Sequence, residues 1–482
     1  MKILILSAEV APFAKAGGLA DVCGSLPKAL ASLGHDVRIV MPAYGSIERA
    51  MHQGKWDIRP MSMTLNVPMG TGPEPAGVLE GKLPGTDVPV YFIAERNRFD
   101  RPFLYGYGDD AGRFSFFSRA ALDLMIAALG WRPDVVHAHD WHTAPAILWL
   151  ATAGQADGRY ANIPTAYTIH NLRHQGTAPW SVLDYLGVQT QNLKEERFGE
   201  VNFMARGIFH ATMINTVSPT YAREIMGWEG GNGLDALLRQ RHFDVHGILN
   251  GLDDEEFNPA TDRRLATTFS ADELDQRIKN KRALQARFNL PQRDDVPLVG
   301  MVSRLDVQKG LDIAGHVFHL LMNNQAGDAQ CIVLGGGDAE YENMLRHLAG
   351  YHRDKMIAYI GYEPDLAQLI YGGSDIFLMP SLFEPCGLGQ MIAMRYGSVP
   401  VVRATGGLAD TVRPGVTGFA FHYYSSDDCW HALRNAIDIY RHDRDTWHEI
   451  QRNGMKSDFS WRSSARAYQQ LYEWAISRTR GW

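Results

Sequence analysis

Short apolar runs alternate with helix-periodic segments along this chain, and the alternation begins twice. In the first half the strand-like runs are residues 3–6, 37–41, 90–93, 135–137, 165–169 and 213–217, with helical periodicity over 19–33 and 114–129. In the second half they are 298–302, 331–334, 356–360, 376–379 and 399–402. Runs that are apolar on both faces and separated by helices predict parallel sheets covered on both sides. A chain of 482 residues is too long for a single core. The polar, turn-rich passage Asn250-Gly-Leu-Asp-Asp-Glu-Glu-Phe-Asn-Pro259 reads as the linker. The expectation is therefore α/β: two doubly wound, Rossmann-like domains, residues 1–250 and 251–462, about a hinge near residue 250. An amphipathic helix over 463–477 carries Tyr468, Leu471, Tyr472 and Trp474 on or near its apolar side. With the rest of segment 463–482 it is expected to return to the first domain. Residues 52–85, rich in Pro, Gly and Met, are expected to form a hairpin insertion or loop.

A Gly-Gly turn stands in each half. The first reads Lys15-Ala-Gly17-Gly18-Leu-Ala-Asp21-Val and the second Thr405-Gly406-Gly407-Leu-Ala-Asp410-Thr-Val. Each precedes a helical pattern, where free backbone N–H groups suit an anion. Two such turns suggest two nucleotide-fold domains facing one cleft.

Lys+Arg 47 against Asp+Glu 54 gives a net charge of −7, which argues against a general nucleic-acid or membrane-surface binder. Cys23, Cys331, Cys386 and Cys429 are scattered without a CxxC pair, as expected of reduced thiols in a cytosol. The apolar start, residues 1–7, is too short for a signal peptide and is followed at once by Glu9 and Pro12. No apolar stretch approaches the length of a membrane span. The expected location is cytoplasmic.

The polar motifs collect after strands, where parallel sheets bind ligands. Lys15 precedes the first Gly-Gly turn. Ser303-Arg304-Leu-Asp-Val-Gln-Lys309-Gly310 follows the run at 298–302, placing a planar guanidinium fork and a compact ammonium at one strand end. Three cations from two domains suit a nucleotide diphosphate leaving group. Phe383-Glu384-Pro385-Cys386-Gly387-Leu388-Gly389-Gln390 turns into a helix, with Glu384 at the mouth. That carboxylate can bond sugar hydroxyls, stabilise positive charge at a reacting carbon, or merely complement a helix dipole. His137-Ala-His139-Asp140-Trp141-His142 invites a metal reading. Its spacing is not HExxH, and alternating strand positions are expected to send the histidines to opposite faces, so no metal site is assigned. Trp141 and Asp140 are candidates to hold a sugar, and His170-Asn171 is a further polar pair at a strand end.

Together, these motifs resemble the bacterial glycogen synthase and plant starch synthase family, retaining glycosyltransferases of the GT-B fold. The landmarks run the length of the chain: Lys15-Ala-Gly-Gly-Leu-Ala-Asp-Val, Trp131-Arg-Pro-Asp-Val-Val-His-Ala-His-Asp-Trp-His142, Thr168-Ile-His-Asn171, His246-Gly-Ile-Leu-Asn-Gly251, Val302-Ser-Arg-Leu-Asp-Val-Gln-Lys-Gly310, Phe383-Glu-Pro-Cys-Gly-Leu388 and Ala404-Thr-Gly-Gly-Leu-Ala-Asp-Thr-Val412. The resemblance implies transfer of glucose from ADP-glucose to the non-reducing 4-OH of an α-1,4-glucan, with retention and without metal or organic cofactor. It implies an acceptor-side first domain and a nucleotide-sugar-binding second domain. By motif match Lys15, Arg304 and Lys309 take the diphosphate, Glu384 lies near the donor glucose, His170 and Asp140 line the sugar side, and Asn250 sits at the hinge. Tyr362 stacks on adenine. Gly17, Gly18, Asp21, Cys386, Gly387, Leu388, Gly389, Thr405 and Gly406 complete the implied binding set.

Two positions depart from the pattern. Ala16 stands where Thr or Val is usual, and Gly389 where Thr or Asn is common. Ile392 stands eight positions after Glu384, where a Glu-x7-Glu motif needs a carboxylate. The alternatives are a transferase with another donor such as UDP-glucose, a non-catalytic glucan-binding protein, or a phosphorylase carrying lysine-linked pyridoxal phosphate.

Overall fold

Strands buried on both faces order this chain into two largely parallel sheets. The computed structural model describes residues 1–189 and 200–481. Two compact units result, Met1–Gly251 with the C-terminal segment from Trp461, and Leu252–Ser460.

In unit one the strands are β1 (Lys2–Leu6), β2 (Asp36–Pro42), β3 (Arg59–Met69), β4 (Gly72–Lys82), β5 (Pro89–Ala94), β6 (Val135–His139) and β7 (Thr165–Ile169), then the short pair β8 (Thr177–Pro179) and β9 (Glu200–Asn202), and finally β10 (Met213–Thr216) and β11 (Val245–Gly247). The main sheet runs β11-β10-β7-β6-β1-β2-β5-β4-β3. Every residue of β6 and β7 is buried, so these strands need apolar or fully bonded side chains on both faces. The expected insertion at 52–85 is the antiparallel hairpin β3–β4. Pro60 and Pro68 are tolerated because β3 is the edge strand and needs fewer ladder donors. Strand order reverses at β1, which has β2 on one side and β6 on the other.

Unit two carries β12 (Leu298–Val302), β13 (Gln330–Gly335), β14 (Met356–Ile360), β15 (Ile376–Met379), β16 (Val399–Arg403) and β17 (Phe419–Phe421). All pairs are parallel, in the order β14-β13-β12-β15-β16-β17, so the reversal falls between β12 and β15. In doubly wound sheets that reversal opens a crevice at the carboxyl ends, where ligands bind.

The C-terminal helix spans Trp461–Arg480. It packs against the helix Gly18–Ser32 and strands β6, β7 and β10 of unit one. Tyr468, Leu471 and Tyr472 are buried, as their spacing predicts, whereas Trp474 is half exposed and lies against the His246 ring. The periodic stretch at 114–129 is an α-helix, Asp110–Leu122, that widens into a π-helical turn, Asp123–Ala128. Periodicity alone does not distinguish the two windings.

Unit two is pinned by a buried ion pair. Lys281 Nζ, fully buried, lies 2.7 Å from Asp375 Oδ2, which also accepts the Leu298 N–H at the start of β12. The same ammonium donates to Val296 O at 2.6 Å and Tyr440 Oη at 2.9 Å. Removing one partner strands a buried charge, at about 3–5 kcal/mol. Lys281→Ala is expected to lower unfolding free energy by about that amount, read from the urea midpoint; an unchanged midpoint would contradict the pairing.

Candidate functional site

The residues in question lie at the carboxyl ends of the two strand-order reversals, one set on each unit.

On unit two, β12 ends at Val302 and the chain turns through Arg304 into a single 3₁₀ turn, Val307–Lys309. Asp306 caps that turn, its Oδ1 accepting Lys309 N–H at 3.0 Å. The cap aims the Lys309 side chain at Glu384, with Nζ to Oε2 at 2.5 Å. Glu384 is buried and also accepts Ser381 Oγ at 3.2 Å. Arg304 behaves differently. Its guanidinium is mostly exposed, held by Asp306 at 3.0 Å and Gln308 at 3.2 Å. Lys309 is thus a partly buried partner of the carboxylate, and Arg304 an exposed cation restrained by two neighbours.

The Glu384 turn is fixed from below by the second Gly-Gly pair. Gly406 has φ +44, and a Cβ there would stand 1.9 Å from Glu384 O. A Cβ on Gly407 would stand 2.1 Å from Cys386 O, and Gly407 N–H donates to Glu384 O at 3.1 Å. This turn therefore serves packing and supports Glu384, in place of the free N–H groups expected from the sequence. Cys386 and Thr405 are buried beside it. Gly387 has φ +73, Leu388 precedes the helix, and Gly389 opens it at Gly389–Arg395. A Cβ on Gly389 would stand 3.3 Å from Met379 Sδ and 3.4 Å from Phe377, a tight fit that those side chains would have to ease. Tyr362 is 85% exposed, just past the edge strand β14 and two strands from the reversal.

On unit one the first Gly-Gly turn is built the opposite way. Gly17 and Gly18 are exposed, neither has positive φ, and a Cβ on either would meet nothing within 4 Å. Among the described residues nothing requires glycine at these positions. The expected free N–H groups need correction: Ala16 and Gly17 donate to Glu9 Oε2 at 2.5 and 2.9 Å. Glu9 is buried, and its other oxygen accepts Tyr105 Oη at 2.6 Å. Lys15 reaches Asp21 at 2.6 Å. Burial pushes the Asp21 carboxyl above its ordinary range, with Lys15 opposing.

Across the reversal, β6 delivers the histidines. His137 and His139 are two positions apart and share one face, with ring centroids 4.0 Å apart. The expectation that alternation separates them was mistaken. They form a structural stack: His137 bonds Thr168 Oγ1 at 2.6 Å and Tyr472 Oη at 2.9 Å, and His139 Nδ1 meets His170 Nε2 at 2.9 Å. Among the described residues no group of three His, Cys, Asp or Glu is arranged to hold a metal ion. Asp140 adopts φ 55 and turns its buried carboxylate onto His170 N–H at 2.7 Å. Its role is to hold the turn after β7, and burial raises it to about 7 against the pull of the His170 and Asn171 N–H groups. Burial lowers His137, His142 and His170 to about 3 and His139 well below its ordinary value. Asn250 is buried at the end of unit one, its Oδ1 without a partner among the described residues. A cavity of about 530 Å³ in the same unit is lined by Tyr107, Asp110, Trp141, Thr177, Ser181 and Tyr185.

Sequence reading missed Glu9, Ser381, Gln308 and the pairing of His139. The available signal for Glu9 was a charged residue three positions after the end of an apolar strand.

Residues 2–240 match the family described as starch synthase catalytic domain, and 284–456 match glycosyl transferases group 1. The glycogen synthase of Moorella thermoacetica is 46% identical over all of this chain and 98% of its own. A glycogen synthase of Bacillus cereus is 43% identical over 98% of this chain and 99% of its own. Among solved structures, the catalytic domain of starch synthase IV from Arabidopsis thaliana, bound to ADP and acarbose, superposes with TM-score 0.88 at 34% identity over 99% of each chain. The sucrose-phosphate synthase of Thermosynechococcus elongatus shares the fold, with TM-score 0.60 at 18% identity over 99% of each chain.

The buried titratable groups set a pH dependence. Each histidine is neutral when folded and must charge on unfolding once pH falls below about 6.5. Its stabilisation is complete above that value and is lost on acidification, by up to about 1.4 kcal/mol per pH unit each. Asp140 has the opposite sign: its folded value is raised, so its contribution is present below about 4 and lost as pH rises toward 7. Four histidines outweigh one aspartate. Urea unfolding is therefore expected to show lower stability at pH 5.5 than at 7.5; the reverse order would contradict the buried neutral stack.

Proposed function

The chain belongs to the glycogen and starch synthase family of glycosyltransferases, and on that premise we propose that it transfers glucose from ADP-glucose to the non-reducing 4-OH of an α-1,4-glucan with retention. The observation that carries this reading is the Lys309–Glu384 pair at the strand-order reversal of unit two, with Arg304 exposed beside it. Unit two is the nucleotide-sugar side. Arg304 and Lys309 bind the diphosphate and stabilise the charge that develops as ADP leaves. Lys15 of unit one is likewise a phosphate-binding cation on this reading, and the open side of Gly17 and Gly18 allows close backbone approach. Tyr362, exposed, stacks on adenine.

Unit one is the acceptor side. The cavity beside Trp141 offers aromatic faces and hydroxyl groups, the surfaces that pack against sugar rings. His170 faces the glucose, while Asp140 holds the His170 backbone and acts through it. Glu384 stabilises positive charge at the reacting carbon. The acceptor hydroxyl attacks from the leaving-group side, and the departing diphosphate takes up its proton. Exclusion of water favours transfer over hydrolysis. On this reading the protein is a cytoplasmic enzyme that needs no metal or organic cofactor, with glycogen as its polymeric partner and neither nucleic acid nor membrane involved.

Purified protein incubated with glycogen and ADP-glucose is expected to release ADP and extend the glucan. Extension only with UDP-glucose would overturn the donor, and none with either would overturn the reaction. Arg304→Ala and Lys309→Ala are each expected to lower kcat/KM by about 100-fold or more, the scale of losing one transition-state donor; near-normal values would remove them from the site. The two Gly-Gly turns are expected to separate under the same substitution. Gly18→Ala keeps Tm and loses kcat/KM for ADP-glucose, whereas Gly406→Ala lowers Tm because its Cβ collides with Glu384 O.

A further inference from the structure

Hydrogen-bond bookkeeping around β6 and β7 determines where the histidine protons lie. Thr168 Oγ1 donates its single proton to Asn215 Oδ1 at 2.7 Å, so it can only accept from His137 Nε2, which therefore carries a proton. His137 Nδ1 then accepts from Tyr472 O–H. The Asn215 amide donates onward to Tyr468 Oη at 3.2 Å.

His139 is decided by its other nitrogen. Its Nε2 is buried and has no partner among the described residues. A proton there would be an orphaned buried donor, a costlier defect than a bare ring lone pair. The proton therefore sits on Nδ1 and is donated to His170 Nε2 at 2.9 Å. Since His170 Nε2 accepts, a neutral His170 must carry its own proton on Nδ1. Burial keeps the ring neutral at ordinary pH. His170 is partly exposed, and its Nδ1 is neither bonded to a described residue nor closed off from solvent.

We propose that His139 is a positioning residue that locks His170 in the Nδ1–H tautomer, so that His170 offers a substrate hydroxyl a neutral hydrogen-bond donor and cannot act there as a general base. The proposal rests on the placement of His170 at the sugar argued above. It also assigns His139, whose side chain touches no substrate on that reading, a role beyond filling space.

The test uses the full-length protein with ring-¹⁵N histidine and a long-range ¹H–¹⁵N correlation, the His170 signals being identified by their loss in His170→Gln. The wild type is expected to show His170 protonated at Nδ1 and bare at Nε2. His139→Asn keeps an N–H donor near the position of Nδ1 and is expected to retain the tautomer, with kcat/KM within about threefold of wild type. His139→Phe keeps a ring but no donor. It is expected to release the Nε2–H form and to lower kcat/KM roughly tenfold or more, chiefly through kcat. A wild-type His170 protonated at Nε2 would overturn the proposal, as would a His139→Phe enzyme with tautomer and activity unchanged. If the wild type transfers no glucose, the proposed reaction fails, while the ring signals still judge the tautomer.

Discussion

A carboxylate buried at the end of a parallel strand must find donors, and in this protein that demand organises both units. Glu9 collects Ala16, Gly17 and Tyr105; Asp140 collects the turn after β7; Glu384 collects Lys309 and Ser381; Asp375 collects Lys281 and the first residue of β12. Each ties a loop to a neighbouring part of its unit. Three of the four lie at strand carboxyl ends, where the loops carry the groups read as functional. Asp375 works from the other end of its strand and serves packing alone. Buried charge is thus used to make loops rigid where a ligand needs fixed donors.

The two Gly-Gly turns show how one motif can serve two ends. Their sequences are nearly the same, and both precede helices. The first is open and exposed, with no described atom within 4 Å of where a Cβ on either glycine would stand. The second is pressed against the backbone of Glu384 and Cys386. A pattern of residues states that glycine is present, but only the neighbours reveal whether the space beside it is reserved for the chain or left for something else.

Much of the architecture was legible because it rests on local pattern. The apolar runs became strands within a residue or two, and the alternation with helices required parallel sheets. Arg304, Lys309 and Glu384 were legible as charges at strand ends. What was not legible depends on contacts distant in sequence. Glu9 meets Tyr105 across 96 positions, and Tyr472 meets His137 across 335. That Asp140 binds the backbone of His170 was not legible, because nothing in its sequence neighbourhood announces that contact. β17 is three residues long and too short to show a period.

The helix Trp461–Arg480 closes unit one with residues that follow all of unit two in the sequence. Its Tyr472 completes the bonding of His137 in the middle of the sheet, and the chain reaches it only after building all of unit two. Unit one is thus discontinuous in sequence, its sheet covered on this side by a helix that lies beyond the whole of unit two, whereas unit two is contiguous.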